Sequence, residues 1–142
     1  MWDPVGEQGA NGMWDVHIRV SGSAGTNLQS DRCTKNPSTD SQNVNTGCES
    51  AFMLMHIGKT ASLYMENNWL WTTDHELDLA DHNQVSIYSG RGLWIESAVG
   101  PVWAYGSAVE HNVMYQYQLT NTKNGTSQEH PLPYLILSTK LT

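Results

Sequence analysis

Short apolar runs, each closed after a few residues by Gly, Asn, Ser or Asp, constrain this chain more than any other feature. They are "MWDVHIRV" (13–20), "AFMLMHIG" (51–58), "SLYMENNWLW" (62–71), "QVSIYSG" (84–90), "GLWIES" (92–97), "PVWAYG" (101–106) and "VMYQYQL" (113–119). Their spacing and their content of Val, Ile, Tyr and Trp are those of strands. No stretch sustains an amphipathic helical pattern. "DHELDLADH" (74–82) comes nearest, and its crowded Asp and His predict a loop with a single helical turn. The chain is therefore expected to be all-β.

Two all-β architectures fit this rhythm. A sandwich or jelly roll joins antiparallel strands through tight turns. A parallel β-helix stacks very short strands tier upon tier, with polar corners and occasional long excursions. The shortness of the runs favours the second, as does the absence of Asn-Gly between alternating runs. So do Asn67, Asn68, Asn83 and Asn112, which recur at run ends.

Composition narrows the function classes. With 142 residues the chain has room for one ordinary domain. Only 15% of residues are charged and the net charge is −7, so the clustered Lys and Arg that grip a nucleic-acid backbone are missing. No run approaches the length of about 20 apolar residues that spans a bilayer. Neither nucleic acid nor membrane is an expected partner. The opening "MWDPVGEQGANG" has no basic and apolar halves, so it does not read as a signal peptide.

Cys33 and Cys48 bracket the loop-like "TKNPSTDSQNVNTG". A disulfide there would stabilise by about 3 kcal/mol on the chain-entropy model; two free thiols are the alternative. A disulfide favours an oxidising compartment. That sits against the unexportable N-terminus and leads to the expectation that Met1 is not the true start. Asn124-Gly125-Thr126 matches the glycosylation triplet.

"GMWDVHIRVSGSAGTNLQ" (12–29), the cysteine-bracketed loop, "YMENNWLWTTDHELD" (64–78) and "YSGRGLWIESAVGPVWAYGSAVEHNVMYQYQL" (88–119) occur here in one order. On these stretches, over residues 12 to 123, the chain resembles part of the second β-helix domain of the fungal exo-β-1,3-glucanases of glycoside hydrolase family 55. The resemblance implies a right-handed parallel β-helix, a pectate-lyase-like solenoid present as a partial domain over 1–123, with a divergent C-terminal tail over 124–142. It implies an extracellular enzyme that removes glucose from the non-reducing ends of β-1,3-glucan with inversion, using no metal and no cofactor. The expected partners are β-1,3-glucan and the other β-helix domain of a full-length chain.

Inverting hydrolysis needs an acid for the leaving oxygen and a second group that activates water across the ring, with carboxyls roughly 6.5–9.5 Å apart. The family's Glu-His-His motif, associated with the water-activating side, falls on Glu110 and His111, with Asn112 in place of the second histidine. The family's general acid, in a Gln-Thr-Glu-x-Pro-Tyr-Tyr setting, has no counterpart, and Glu129 is not given that role. The chain alone is accordingly expected to be inactive. Glu96 is a conceivable carboxylate partner for Glu110 and Glu66 a weaker one; both also read as ordinary strand-end residues.

Sugar rings stack on exposed aromatic faces, because their C–H surfaces are apolar while their hydroxyl rims hydrogen-bond. Trp69, Trp71, Trp94, Trp103, Tyr105, Tyr115 and Tyr117 alternate along the runs. Of these, Trp103, Tyr105, Tyr115 and Tyr117, with His111, are the expected substrate-binding set. Asp74, His75, Glu76, Asp78, Asp81 and His82 lack calcium-loop or zinc spacing and read as a solvated acidic loop. A non-catalytic glucan-binding module and a truncated gene product without function remain as alternative readings.

Overall fold

A computed structural model describes residues 10–35, 44–98 and 101–121. Its strands are β1 (Gly12–Trp14), β2 (His17–Val20), β3 (Met53–Ile57), β4 (Leu63–Glu66), β5 (Trp69–Thr72), β6 (Ser89–Ile95), β7 (Val102–Tyr105), β8 (Ala108–Glu110) and β9 (Asn112–Leu119). A 3-10 turn at Thr46–Cys48 is the helical element among the described residues.

Two of the apolar runs are each cut by a corner. The run 13–20 divides into β1 and β2 at Asp15 (φ 55), and the run 62–71 into β4 and β5 at Asn67 (φ 53). Gly106 (φ 56) does the same between β7 and β8. All three adopt the left-handed conformation, which Asp, Asn and Gly tolerate best and which no strand can pass through. Conversely, β6 continues across the expected break between residues 90 and 92, with a register shift against β9 between Ser89 and Arg91.

Every third strand pairs, always in parallel. The sheets are β1-β4-β7, β2-β5-β8 and β3-β6-β9. This pairing does not fit an antiparallel sandwich, in which neighbouring strands run oppositely. The register stacks like on like: Ile18, Leu70 and Val109 form one inward column, and Met13, Met65 and Ala104 another. Inward side chains from all three sheets meet in a single core that includes Ile57, Leu63, Met65, Leu70, Leu93 and Ile95, each at most 3% exposed. Each such burial contributes about 1.5–3 kcal/mol, and the parallel register makes each strand depend on the strands it pairs with.

Residues 74–82 form bends and a turn, with His82 N–H donating to the Leu79 carbonyl at 3.2 Å, and no helical turn. Their polar side chains make local bonds that compete with helix formation. Around this loop a smaller core gathers Cys33, Cys48, Val85 and Ile87, with Leu28 and Tyr88 packed on it. The tail over 124–142 and its glycosylation triplet lie outside the described residues.

Candidate functional site

β5 points Leu70 and Thr72 inward, which turns Trp69 and Trp71 to the outer face of the β2-β5-β8 sheet, since alternate residues of a strand share a face. The two indoles stack with ring centroids 4.3 Å apart and planes 11° from parallel. In register, Trp71 stands between Arg19 on β2 and Glu110 on β8. Each indole then reaches one of two consecutive residues. Trp69 Nε1 donates to Glu110 Oε2 at 3.2 Å, and Trp71 Nε1 donates to His111 Nδ1 at 3.0 Å.

His111 is the corner residue after β8 and sits in the left-handed region at φ 61. Asn112 behind it is buried. Its Nδ2 donates to the Glu110 carbonyl at 3.1 Å and to Gln116 Oε1 at 2.9 Å, which fastens the corner. The Asn112 backbone N–H also donates to Gln116 Oε1, at 3.0 Å. At this position the amide serves as a donor through Nδ2, while its buried Oδ1 has no hydrogen-bond partner among the described residues.

Two further rings and a carboxylate border the indole pair. His17 meets Trp69 edge-on at 5.8 Å, and His75 lies 5.7 Å from Trp71 at a tilt. His75 Nδ1 is 2.6 Å from Asp74 Oδ1. Partial burial pushes the Asp74 carboxyl up, but the His75 hydrogen bond and the nearby His111 and His75 rings outweigh it and hold it below its ordinary value. The result is a half-buried carboxylate, Glu110, oriented by the indole N–H of a half-buried Trp69, behind which the buried Trp71 is stacked. This arrangement can stack an apolar ring face while accepting hydrogen bonds from its hydroxyl rim.

The remaining predicted residues lie on other faces. Trp103 and Tyr105 are exposed on the outer side of β1-β4-β7, where Trp14, Tyr64 and Trp103 form a ladder with centroids 5.9 and 6.4 Å apart. Glu66 lies on the same face and accepts from Tyr64 Oη at 2.8 Å. Tyr115 and Tyr117 belong to β9 in the third sheet. Tyr117 packs against the main core, its hydroxyl donates to the Ser107 carbonyl at 3.4 Å, and burial pushes its pKa up. Glu96 follows β6 and pairs with His56 at 2.8 Å, while His56 stacks on Trp94 at 4.4 Å. The structure therefore joins Glu110 and His111 by hydrogen bonds to Trp69 and Trp71 and brings the Glu110 charge near Tyr117, whose pKa it helps to raise, while Trp103 and Tyr105 lie on the first sheet. The signal for this was the period-two Trp-Leu-Trp, but the register that sets it against Glu110 is not written in either run.

The acidic loop is tied down more firmly than a solvated loop would be. Glu76 is fully buried and its Oε1 accepts from Ser30 N–H at 2.7 Å. Asp78 pairs with Arg19 at 3.3 Å and caps Ala24 N–H at 3.1 Å. Among the described residues, no group of three or more His, Cys, Asp or Glu side chains is placed to hold a metal ion. Cys33 and Cys48 form a disulfide with Cα atoms 5.8 Å apart, which anchors the smaller core.

Comparison with known proteins adds the context of this site. No family model matches the chain. Over 124 residues it is 59% identical to a protein from Arthroderma benhamiae named "Probable glucan endo-1,3-beta-glucosidase". Over 109 residues it is 46% identical to the "Glucan 1,3-beta-glucosidase" of Cochliobolus carbonum. These alignments take in 87% and 76% of this chain but only 14% and 13% of those proteins. A "Non-secreted LysM effector LysM15" from Penicillium expansum is 49% identical over 117 residues, which is 82% of this chain and 8% of that protein. The chain is thus related to glucan 1,3-β-glucosidases and spans a small part of their length.

Proposed function

We propose that the chain carries part of the glucan site of a β-1,3-glucanase of the glycoside hydrolase family 55 type, built on a right-handed parallel β-helix. The observation that carries this reading is the Trp69 to Glu110 hydrogen bond beside the stacked Trp69–Trp71 pair, in a chain related to glucan 1,3-β-glucosidases. Glu110 takes the water-activating side of an inverting hydrolysis that releases glucose from non-reducing ends. Trp69, backed by the buried Trp71, receives a sugar face, and the corner of His111 and Asn112 holds the carboxylate at its edge. A carboxylate acting as base can only orient and deprotonate water; the proton for the leaving oxygen must come from a second group. Within this chain the reading is therefore one of glucan binding with half of the hydrolytic pair. The disulfide supports maturation in an oxidising, extracellular setting.

The test is binding to insoluble β-1,3-glucan and glucose release from laminarin, measured on the chain and on Glu110→Gln, Trp69→Phe and Trp103→Phe. Retention on the glucan that Trp69→Phe weakens and Trp103→Phe leaves unchanged supports the reading. Equal loss in both variants moves the platform to the first sheet, and absence of binding sinks the proposal. Glucose release abolished by Glu110→Gln would show a complete catalytic pair.

A further inference from the structure

One ring nitrogen in this site faces two partners that it cannot serve together. His111 Nδ1 lies 3.0 Å from Trp71 Nε1 and 3.1 Å from the Thr72 carbonyl oxygen. An indole N–H only donates and a carbonyl only accepts. A bare Nδ1 therefore takes the proton of Trp71, whereas a protonated Nδ1 must give its own to Thr72 and leave the indole without an acceptor. Trp71 is 5% exposed, so water cannot readily replace the lost partner.

We infer that His111 is a pH-gated positioning residue, which in its neutral Nε2–H form clamps Trp71 and on protonation releases it. The consequence reaches the carboxylate through one contact. Trp71 stacks on Trp69 at 4.3 Å, and Trp69 holds Glu110 at 3.2 Å. Two consecutive residues of the chain are thus tied to two stacked indoles, and a proton on the second loosens the seat of the first. The effect on glucan rests on the function proposed above; the clamp itself does not.

The groups that surround this nitrogen leave the gate to His111. Glu110 is its own neighbour in sequence. Asp74 and His75 approach from the loop after β5, where they bond to each other at 2.6 Å. Asp74, with its carboxyl held below the ordinary range, remains charged throughout the interval in which histidines titrate. Arg19 stands opposite Trp71 on β2, but its guanidinium is drawn toward Asp78 and Ser23.

The experiment follows the assigned indole N–H resonance of Trp71 in the 15N-labelled full chain while pH is lowered through the titration of the His111 ring. The resonance is expected to shift upfield along the His111 curve, with exchange against water roughly tenfold faster at its acid end. The shift should vanish in His111→Asn, whose amide oxygen accepts without titrating and whose backbone suits the left-handed corner, and persist in His75→Asn. An indole resonance that stays fixed while His111 titrates overturns the inference, and so does one that moves equally in His111→Asn. Binding of a soluble β-1,3-glucan oligosaccharide is measured in parallel. Acid weakening in the wild type but not in His111→Asn supports both readings. A Trp71 resonance that moves with His111 without glucan binding at any pH supports the clamp and overturns the proposed function.

Discussion

Asn68 and Asn112 use one device at two different corners: each is buried, and each donates its Nδ2 to the carbonyl of the glutamate two residues earlier, at 3.1 Å in both cases. The residue before each is left-handed, Asn67 at φ 53 and His111 at φ 61. The chain turns sharply there, and in both cases the side-chain amide supplies a donor to the carbonyl of the last strand residue. The Glu66 carbonyl also accepts from Asp15 N–H at 3.1 Å, and the Asn68 amide accepts as well as donates.

Asn68 carries the heavier share. It donates to the Met13 carbonyl at 3.0 Å and accepts from Val16 N–H at 3.0 Å, so one amide joins two tiers. Its own backbone N–H donates to Ser107 Oγ at 3.2 Å, which reaches the third. Asn68→Ala is expected to cost about 2–4 kcal/mol, since it strands several buried polar groups. Asn68→Asp at neutral pH should cost at least as much, because a carboxylate would face two carbonyls, and acidification should restore part of the loss. Denaturant unfolding of the two variants at pH 7 and pH 5 checks this. Equal stability of Asn68→Ala and the wild type would remove the corner from the account.

What the sequence made legible follows from this device. The strand content could be read because short apolar runs closed by turn residues fit strands better than helices, but the runs alone left a parallel and an antiparallel arrangement both open. The corners could not be read reliably. Asp15 interrupts its run with no turn dipeptide, and only the pairing of β1 with β4 shows that Asp15 and Asn67 occupy equivalent places. Glu110 and His111 stood out through motif resemblance. Their indole partners did not, because the register Trp71 to Glu110 is a tertiary fact. Exposure of an aromatic residue is likewise decided by which sheet it joins, and Tyr117 faces the core although its run alternates as regularly as that of Trp103.

Gly92 tests how tightly the sheets approach one another. A methyl group built there would lie 2.3 Å from both the Gln116 carbonyl oxygen and Val109 Cγ1. The oxygen belongs to the backbone of β9 and cannot rotate away, so Gly92→Ala must part β6 from β9 or push β8 outward. The expected loss is about 1–3 kcal/mol. Gly25, with nothing within 4 Å of the same position, is the control for space. Its left-handed φ of 80 strains any replacement, so Gly25→Asn is the suitable variant. Comparable melting temperatures for Gly92→Ala and Gly25→Asn would count against the close approach.

The disulfide closes a sequence separation of 15 and sits under Val85 and Ile87. Replacing both cysteines by serine should lower stability by about 3 kcal/mol through the freed unfolded chain, with a further loss from polar atoms placed in a small apolar cluster. The main core lies elsewhere, so far-ultraviolet circular dichroism should retain its β signature. Loss of that signature at room temperature would show that the excursion supports the three sheets rather than merely decorating them.

Asp74 sets the sign of the acid response. Its carboxyl is held below the ordinary value of 3.8 in the folded chain and returns to it on unfolding. Folding therefore favours the charged form. The stabilisation is complete above the unfolded value and is lost as pH falls through the folded one. With its side chain 43% exposed, Asp74 contributes only a few tenths of a kcal/mol after screening. Asp74→Asn should remove that contribution at pH 7 and flatten the stability curve between pH 4 and its acid end, while a wild-type curve recorded in high salt should move the same way. A steeper acid limb in Asp74→Asn than in the wild type would mean that Asp74 is not held in its charged form by His75 and His111.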